Sequence, residues 1–455
     1  MAKAHKMDFT EGPILKKLII FTLPIIASSL LQQFYTTADQ IVVGKFAGDT
    51  ALAAVGSTGY VTNLILNLFM GLSVGATVTC AKYLGAKNKE GVKRAVHTAY
   101  AIAVVAGIML TFIGVLLSRP LLQMMDTPDD VIDHSVVYMT IIFLGTPFSM
   151  LYNFGAGLLR AAGDTKRPLY ILAVSGFVNV LLNLLFVIVF NMAEAGVALA
   201  TITSQMISSM TVMYLMAKRD DDLKLTVREI RFYKEEFFNT LRIGIPAGLN
   251  AILYNISNIT LQSAVNSFGK EYMAASTAGS SITNYINLVQ GGFGTATVSF
   301  VGQNYGAKKF KRIDKLIIVA TVTAVSLSTI LACLITLSPS FFLSMFTDSP
   351  TVIEKGTAKT LIMTWGYILH APSAIFGSTL RGMEKSKTPM YLNILAICVS
   401  RIGWVSFVFP LYPKFEMLFY CYPISWGLCS ISLGIAYLVF RKKALASANA
   451  IKCSE

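Results

Sequence analysis

Charge is scarce in this chain: 14% of its 455 residues are Asp, Glu, Lys or Arg, against about 25% in an ordinary soluble domain. With 54% hydrophobic residues and a mean hydropathy of +0.62, no stretch remains that could fold as a separate water-soluble domain. Histidine is sparse as well. His5, His97, His134 and His370 lie far apart, without the spacing of metal ligands. The six cysteines (Cys80, Cys333, Cys398, Cys421, Cys429 and Cys453) are scattered, most within apolar runs where they read as small core residues. There is no HExxH, no phosphate-binding loop and no dinucleotide fingerprint. These absences argue against an ATP-driven pump or an intramembrane hydrolase, and no resident cofactor is expected. A signal peptide is not expected either: Met1 to Thr10 is polar, and the first apolar run is too long for a signal h-region.

What the chain has instead is apolar runs of membrane length from end to end. They are continuous rather than alternating, so they predict helices and not a lipid-facing barrel. Twelve spans are expected: 14–44, 51–84, 93–118, 131–158, 168–190, 195–217, 237–267, 273–305, 313–337, 352–380, 389–411 and 416–440. The net charge of +14 does not point to nucleic acid, because the basic residues fall in alternate connections. Lys3, Lys16, Lys17, Lys87, Lys89, Lys93, Arg94, Lys166, Arg167, Lys218, Arg219, Lys308, Lys309, Lys311, Arg312, Lys385, Lys387 and Arg441 to Lys443 fall on one side. Lys45, Arg119, Lys270, Lys355, Lys359 and Lys414 fall on the other. Cytoplasmic connections carry the basic excess, so both termini are expected in the cytoplasm of a multi-pass inner (plasma) membrane protein. The expected division is an N-lobe at 1–217, a cytoplasmic linker at 218–236, a C-lobe at 237–440 and a cytoplasmic tail at 441–455. The mixed charges from Lys218 to Phe238 fit either an amphipathic helix on the membrane surface or a solvated connector.

An internal repeat supports the two lobes. Arg160/Arg381, Lys166/Lys387, Pro168/Pro389, Tyr170/Tyr391, Gly48/Gly269, Gly71/Gly292, Gly85/Gly306 and Gly145/Gly366 all share an offset of 221 residues (for example 381 − 160). Six spans per repeat bring the chain back to the same side, so the repeats are parallel, as in some transporters. The expected fold class is an all-α integral membrane protein of two pseudo-twofold-related six-helix bundles, a geometry suited to alternating access.

Chemistry concentrates in the first bundle. Asp39, in the first span, is a carboxylate about 7–8 Å from that span's outer end at 1.5 Å per residue. Placing a charge there costs about 2.5–3.5 kcal/mol on insertion scales, a cost that protonation or a bound cation removes. Asn179 and Asn183, at i and i+4, project from one face of the fifth span at a similar depth, and Thr201 opens the sixth. Together they offer hard oxygen ligands for Na⁺, and equally the surroundings of a protonatable acid. Tyr35, one turn from Asp39, is placed to hydrogen-bond it. Pro24 and Pro246 interrupt the first span of each bundle, and Pro24 is a candidate hinge. The second bundle supplies Tyr254, Asn255, Asn258 and Gln262, then Asn284, Tyr285, Asn287 and Gln290. Of these, Tyr254, Asn255, Asn258, Asn284 and Gln290, with Gln33 of the first span, are candidates to line a substrate cleft. Arg401, midway along the eleventh span, joins them as the one deep cation, with His370 or backbone carbonyls as expected neighbours. Met70, Met139, Met206, Met210 and Met213 would make an adaptable pocket or simple packing.

These residues carry a family resemblance over nearly the whole chain. It rests on LPIIASSLLQQFYTTADQIVVGKFAG, the GAKN and GAKK loops, LRAAGDTKRP with its echo LRGMEKSKTP, and NVLLNLLFVIVFNMAEAGVALAT. The sequence resembles the multidrug and toxic compound extrusion (MATE) family. The resemblance implies two six-helix lobes exporting cationic, amphipathic drugs in exchange for Na⁺ or H⁺. It also implies that Asp39 is the coupling acid, Tyr35 its neighbour, and Asn179 and Thr201 partners at the cation site. The chain departs at Asn183, where many relatives have a second carboxylate, and it lacks the seventh-span glutamate of one subgroup. The departures leave Asp39 as the lone titratable coupling group. The expected partners are small organic cations and membrane lipids, with no nucleic acid, and the expected state is a monomer. A rival reading within the superfamily is a lipid-linked oligosaccharide flippase, which would need more deep cations than Arg401.

Overall fold

The computed structural model describes residues 7–125 and 127–452, and among them every regular element is helical. Lys3, His5 and Cys453 lie outside the described residues. The first half of the chain forms α1 (Ile14–Phe46), α2 (Asp49–Gly85), α3 (Lys89–Met124), α4 (Asp129–Leu144), α5 (Thr146–Ala161), α6 (Lys166–Leu184) and α7 (Ala193–Ala217). The second half forms α8 (Lys234–Asn266), α9 (Lys270–Gly306), α10 (Phe310–Leu337), α11 (Pro339–Ser344), α12 (Pro350–Gly382), α13 (Lys387–Asn393), α14 (Ser400–Gly403) and α15 (Phe415–Lys452). Each expected span is met by one helix or one series of short ones. The helices start slightly ahead of the apolar runs because their first turns are charged, as with Asp129 and Asp130 or Glu235 and Glu236.

Among the described residues, eight helical stretches are long and apolar enough to cross a membrane, counting Lys387–Leu411 as one, and α4 with α5 makes a ninth if that pair is one span bent by 44°. The bend has a local cause. Pro147 lies in the first turn of α5 and has no N–H to continue the α4 ladder. The remaining long helices, α8, α9 and α12, span 33, 37 and 33 residues but carry more polar side chains. Lys359, expected in an outer connection, is instead buried within α12, where its ammonium donates to Ser276 O, Ser276 Oγ and Ser280 Oγ at 2.6–2.7 Å.

The repeat seen in the sequence recurs in the backbone. Six of the nine left-handed residues among those described come in pairs 221 apart: Lys87 (φ 54°) with Lys308 (56°), Gly163 (87°) with Glu384 (63°), and Gly48 (87°) with Gly269 (97°). The first two pairs close helix C-termini with six-residue backbone bonds. Asn88 N donates to Tyr83 O at 3.0 Å, and Lys309 N to Asn304 O at 2.9 Å. Likewise Asp164 N donates to Leu159 O at 2.9 Å, and Lys385 N to Leu380 O at 2.8 Å. The GAKN, GAKK, GDTK and EKSK motifs are therefore helix stops.

The chain divides into two compact units. One comprises the residues through Phe9 and Leu23–Gly248; the other comprises Thr10–Thr22 and the residues from Leu249 onward. The chain thus changes unit within α1, beside Pro24, and within α8, two residues after Pro246. Neither proline breaks its helix. In the first unit, α5 packs against α2, α3 and α7, with Tyr100, Phe154, Leu158 and Leu159 fully buried. The first part of α8 joins this unit through a glycine crossing with α2. Gly71 and Gly75 face Gly244 and Gly248 so closely that a Cβ on Gly71 would lie 2.2 Å from Gly248 N, and one on Gly248 would lie 2.1 Å from Leu68 O. These are two facing GxxxG motifs. In the second unit, α12 packs against α9, α10 and α15 around Ile286, Tyr367 and Trp426. The stretch before α1 is tied to this unit by Arg312, whose Nη2 donates to Glu11 O and Gly12 O at 2.7 and 2.8 Å.

The segment after α7 is not an amphipathic helix. Arg219 forks onto Asp221 at 2.8 and 2.6 Å, and Leu223 and Leu225 are buried in the core of the first unit. One short helical turn follows at Val227–Glu229. Thr226 N donates to His97 Nε2 at 3.1 Å and Tyr233 N to Thr98 Oγ1 at 3.2 Å, strapping the segment to α3. Lys93 Nζ, 2.7 Å from Glu229 Oε2, holds that carboxyl below the usual range. The second unit uses the repeat-equivalent position with reversed charge: Asp314 (93 + 221) accepts from Arg441 at 2.7 and 2.8 Å.

Candidate functional site

In the first unit, the close approach of α1 to α6 sets the geometry. Gly176 leaves room for the Tyr35 ring, since a Cβ there would sit 1.8 Å from Tyr35 Cε2. With the ring seated against α6, the next turn of α1 brings Asp39 to Asn183. The Asn183 amide Nδ2 donates to Asp39 Oδ1, and the same group lies 3.4 Å from Asn179 Oδ1. Asn179 and Asn183 are buried at 4% and 0% exposure, while Asp39 is half-buried.

Two of the oxygens predicted for the site have no donor, one in this contact and one on α7. Asn183 Oδ1 and Thr201 Oγ1 are both buried without a hydrogen-bond partner. A buried polar atom left unpaired costs about 1–3 kcal/mol, so such oxygens are expected to meet a proton or a cation. The donor set in contact is one carboxylate and the amide oxygens. That set suits a hard monovalent cation, and a proton on Asp39 equally well. Just beyond Asp39, toward the end of α1, Val42 and Val43 pack with Ala51, Val55, Val187 and Val197 in an apolar cluster that Tyr138 joins.

The structure brings Asp39, Asn179 and Asn183 together by direct contact. Tyr35 shares the face but does not bond Asp39; its hydroxyl donates to the Ala173 carbonyl at 3.2 Å. Thr201 makes no hydrogen bond to Asp39. Pro24 lies in an unbroken helix, where its carbonyl accepts from Ser28 Oγ at 2.8 Å. Sequence reasoning missed Glu194, a buried acid of the first unit, as Asp164 and Glu236 are, at the start of α7; its Oε1 meets His134 Nδ1 at 2.8 Å. Nothing in its helix-start context distinguished Glu194 from an ordinary N-terminal acid. Gly176 was equally silent, because a glycine's role in letting a ring approach appears only with its neighbour.

The substrate-cleft candidates divide differently. Gln290 is buried and fully engaged: its Nε2 donates to Ser328 Oγ and Tyr367 O at 2.9 and 2.8 Å, and its Oε1 meets His370 Nδ1 at 2.6 Å. That amide holds α9, α10 and α12 together. Gln33, Asn255 and Asn284 are partly buried. Gln262 is bonded at 2.9 Å to Asn266, one turn on. Arg401 is buried completely and is joined not to carbonyls but to side chains, Asn258 Oδ1 at 2.9 Å and Ser425 Oγ at 3.1 Å. Tyr254 lies against it, and His370 stacks on Trp426 beside it.

Comparison with known proteins follows the same lines. The MatE family model matches residues 24–185 and 246–404, one copy in each half. The probable multidrug resistance protein YoeA of Bacillus subtilis is 29% identical over 446 residues, covering 96% of each chain. The probable multidrug resistance protein YpnP of the same organism is 29% identical over 403 residues, covering 88% of this chain and 89% of that one. Among solved structures, an outward-facing multidrug resistance transporter of the MATE family aligns with a TM-score of 0.89 at 22% identity, covering 98% of this chain and 99% of that chain. With the family model matching well over half its length, the chain belongs to the MatE family and is a multi-pass membrane transporter, not an enzyme.

Proposed function

We propose that this transporter is a secondary antiporter that exports cationic and amphipathic organic molecules in exchange for Na⁺ or H⁺. The observation that carries the proposal is the Asp39 cluster. It holds one carboxylate gripped by one amide, and the buried oxygen of that amide has no donor. Such a site has a place for one positive charge and holds none of its own. The basic bias of alternate connections supports a plasma-membrane orientation with both termini cytoplasmic. The curated relatives named for multidrug resistance support the substrate class.

In this reading the cation enters from outside and neutralises Asp39, and the neutral cluster favours a different packing of α1 on α6. Asp39 lies on the part of α1 that belongs to the first unit, while Ile14–Thr22 of the same helix belong to the second. Alternating access follows if cation and drug favour opposite states. A ligand shifts such an equilibrium only by its differential affinity for the two states. Reconstitution into liposomes with an imposed Na⁺ or pH gradient tests the proposal. Wild-type protein should drive efflux of a fluorescent organic cation under one of the two gradients, and Asp39→Asn should not. Full gradient-driven export by Asp39→Asn would overturn it.

A further inference from the structure

The second unit carries a cluster of the opposite polarity at the repeat-related place. In the first unit, α1 and α6 bring Asp39 to Asn179 and Asn183; in the second, α8 and α14 bring Asn258 to Arg401. Position 401 corresponds to 180 in the first repeat (401 − 221), next to Asn179 on the same helix. One helix pair thus presents a carboxylate, and its repeat a guanidinium.

Arg401 is 0% exposed, and no carboxylate is among its neighbours in the described residues. Its Nε and Nη1 bond Ser425 and Asn258, but Nη2 is buried without an acceptor. A second donor in the same cluster is equally unused: Trp426 is fully buried and its Nε1 has no partner. The guanidinium lies 4.1 Å from the ring centre of Tyr422, 5.2 Å from that of Tyr254 and 5.7 Å from that of Trp426. Aromatic faces attract a cation without neutralising it. The cluster therefore holds two unused donors and a positive charge that faces no carboxylate among the described residues.

We infer that the Arg401 cluster binds an anionic group, a carboxylate or phosphate, on the transported molecule, so that substrates bearing both an acidic and a basic group are preferred over purely cationic ones. Arg401 and Trp426 are fully buried, so a ligand reaches them by displacing the side chains that cover them. Tyr254 and Tyr422, whose rings cover the guanidinium, are themselves only partly buried. Arg401 also sits in a four-residue α-helical stretch between two π-helical segments, Ile394–Val399 and Trp404–Val408. Such widened turns are frequent at functional sites. The inference deepens the export reading by naming a substrate class, but the binding step stands apart from transport.

A matched pair of dyes tests it: rhodamine 110, which carries a free carboxylate, and its methyl ester, which does not. Binding to detergent-purified protein is followed by fluorescence polarisation. Wild type should bind the acid, and Arg401→Gln should weaken that binding at least tenfold with little effect on the ester. Asn258→Asp, nearly isosteric, places a resident carboxylate against Arg401 and should produce the same selective loss. Arg401→Lys should retain part of the affinity. Equal loss for both dyes, no loss in either variant, or no binding of the acid by wild type would each overturn the inference. If the acid binds as expected while no gradient drives export of either dye, the antiport reading fails and the anion site stands.

Discussion

The α2–α8 crossing gives the sharpest test of the fold. At Gly71 and Gly248 a substituted Cβ would sit 2.2 and 2.1 Å from backbone atoms of the opposing helix, whereas carbon contacts settle at about 3.5–4.0 Å. Backbone cannot rotate out of the way as a side chain can, so Gly71→Ala or Gly248→Ala must push the helices apart by more than about 1 Å. Overpacking of this kind costs about 1–3 kcal/mol, and 2 kcal/mol is about a 30-fold change in the folded-to-unfolded ratio. The control is Gly291→Ala in α9, where a Cβ would meet nothing within 4 Å; there the gain in helix propensity makes the change neutral or stabilising. SDS-titrated unfolding in mixed micelles reads all three variants. Because Gly71 and Gly248 share one close approach, the double variant should cost less than the sum of the singles. If both single variants prove as mild as Gly291→Ala, the crossing described here is wrong.

Other expectations follow from the same physical reasoning. Asn183→Leu removes both the amide donor to Asp39 and an unpartnered oxygen, and should raise the cation concentration for half-maximal export at least tenfold, about 1.4 kcal/mol, measured in proteoliposomes. His97→Ala leaves the Thr226 N–H without its acceptor and should cost about 1–3 kcal/mol, seen as faster protease cleavage between Arg219 and Tyr233. The Glu229 carboxyl is held low by Lys93, so its pairing is fully present above the ordinary carboxylate pKa and is lost as pH falls through the depressed value. Cleavage of the same strap should therefore rise below about pH 4, and in Glu229→Gln that pH dependence should flatten.

Much of this was legible in the sequence because membranes constrain it so tightly. Long apolar runs must become helices, and an offset of 221 residues shared by arginines, prolines and glycines revealed the two halves before any coordinates. Asp39, Asn179 and Asn183 could be brought together from depth and spacing alone. Other features depend on what lies opposite. Tyr35 was expected to bond Asp39, but its ring packs on Gly176 and its hydroxyl reaches a backbone carbonyl. The strap after α7, with its mixed charges, read as a surface helix or a solvated connector, yet Leu223 and Leu225 are buried and its polar atoms bind α3. Lys359 read as a loop lysine because a lysine usually marks the edge of an apolar run. The serines that accept its ammonium lie about 80 residues away. Hydropathy registers one chain segment at a time, and these contacts are made between segments.

The central claim is that one cation comes and goes at Asp39 as substrate binds. Substrate-induced cation release tests it most directly. Tetraphenylphosphonium is added to the purified protein in weakly buffered detergent, and released protons are followed with a pH-sensitive dye and displaced radiosodium in parallel. The account predicts close to one cation released per wild-type molecule, and none from Asp39→Asn that still binds the phosphonium. An equal release from Asp39→Asn would contradict it.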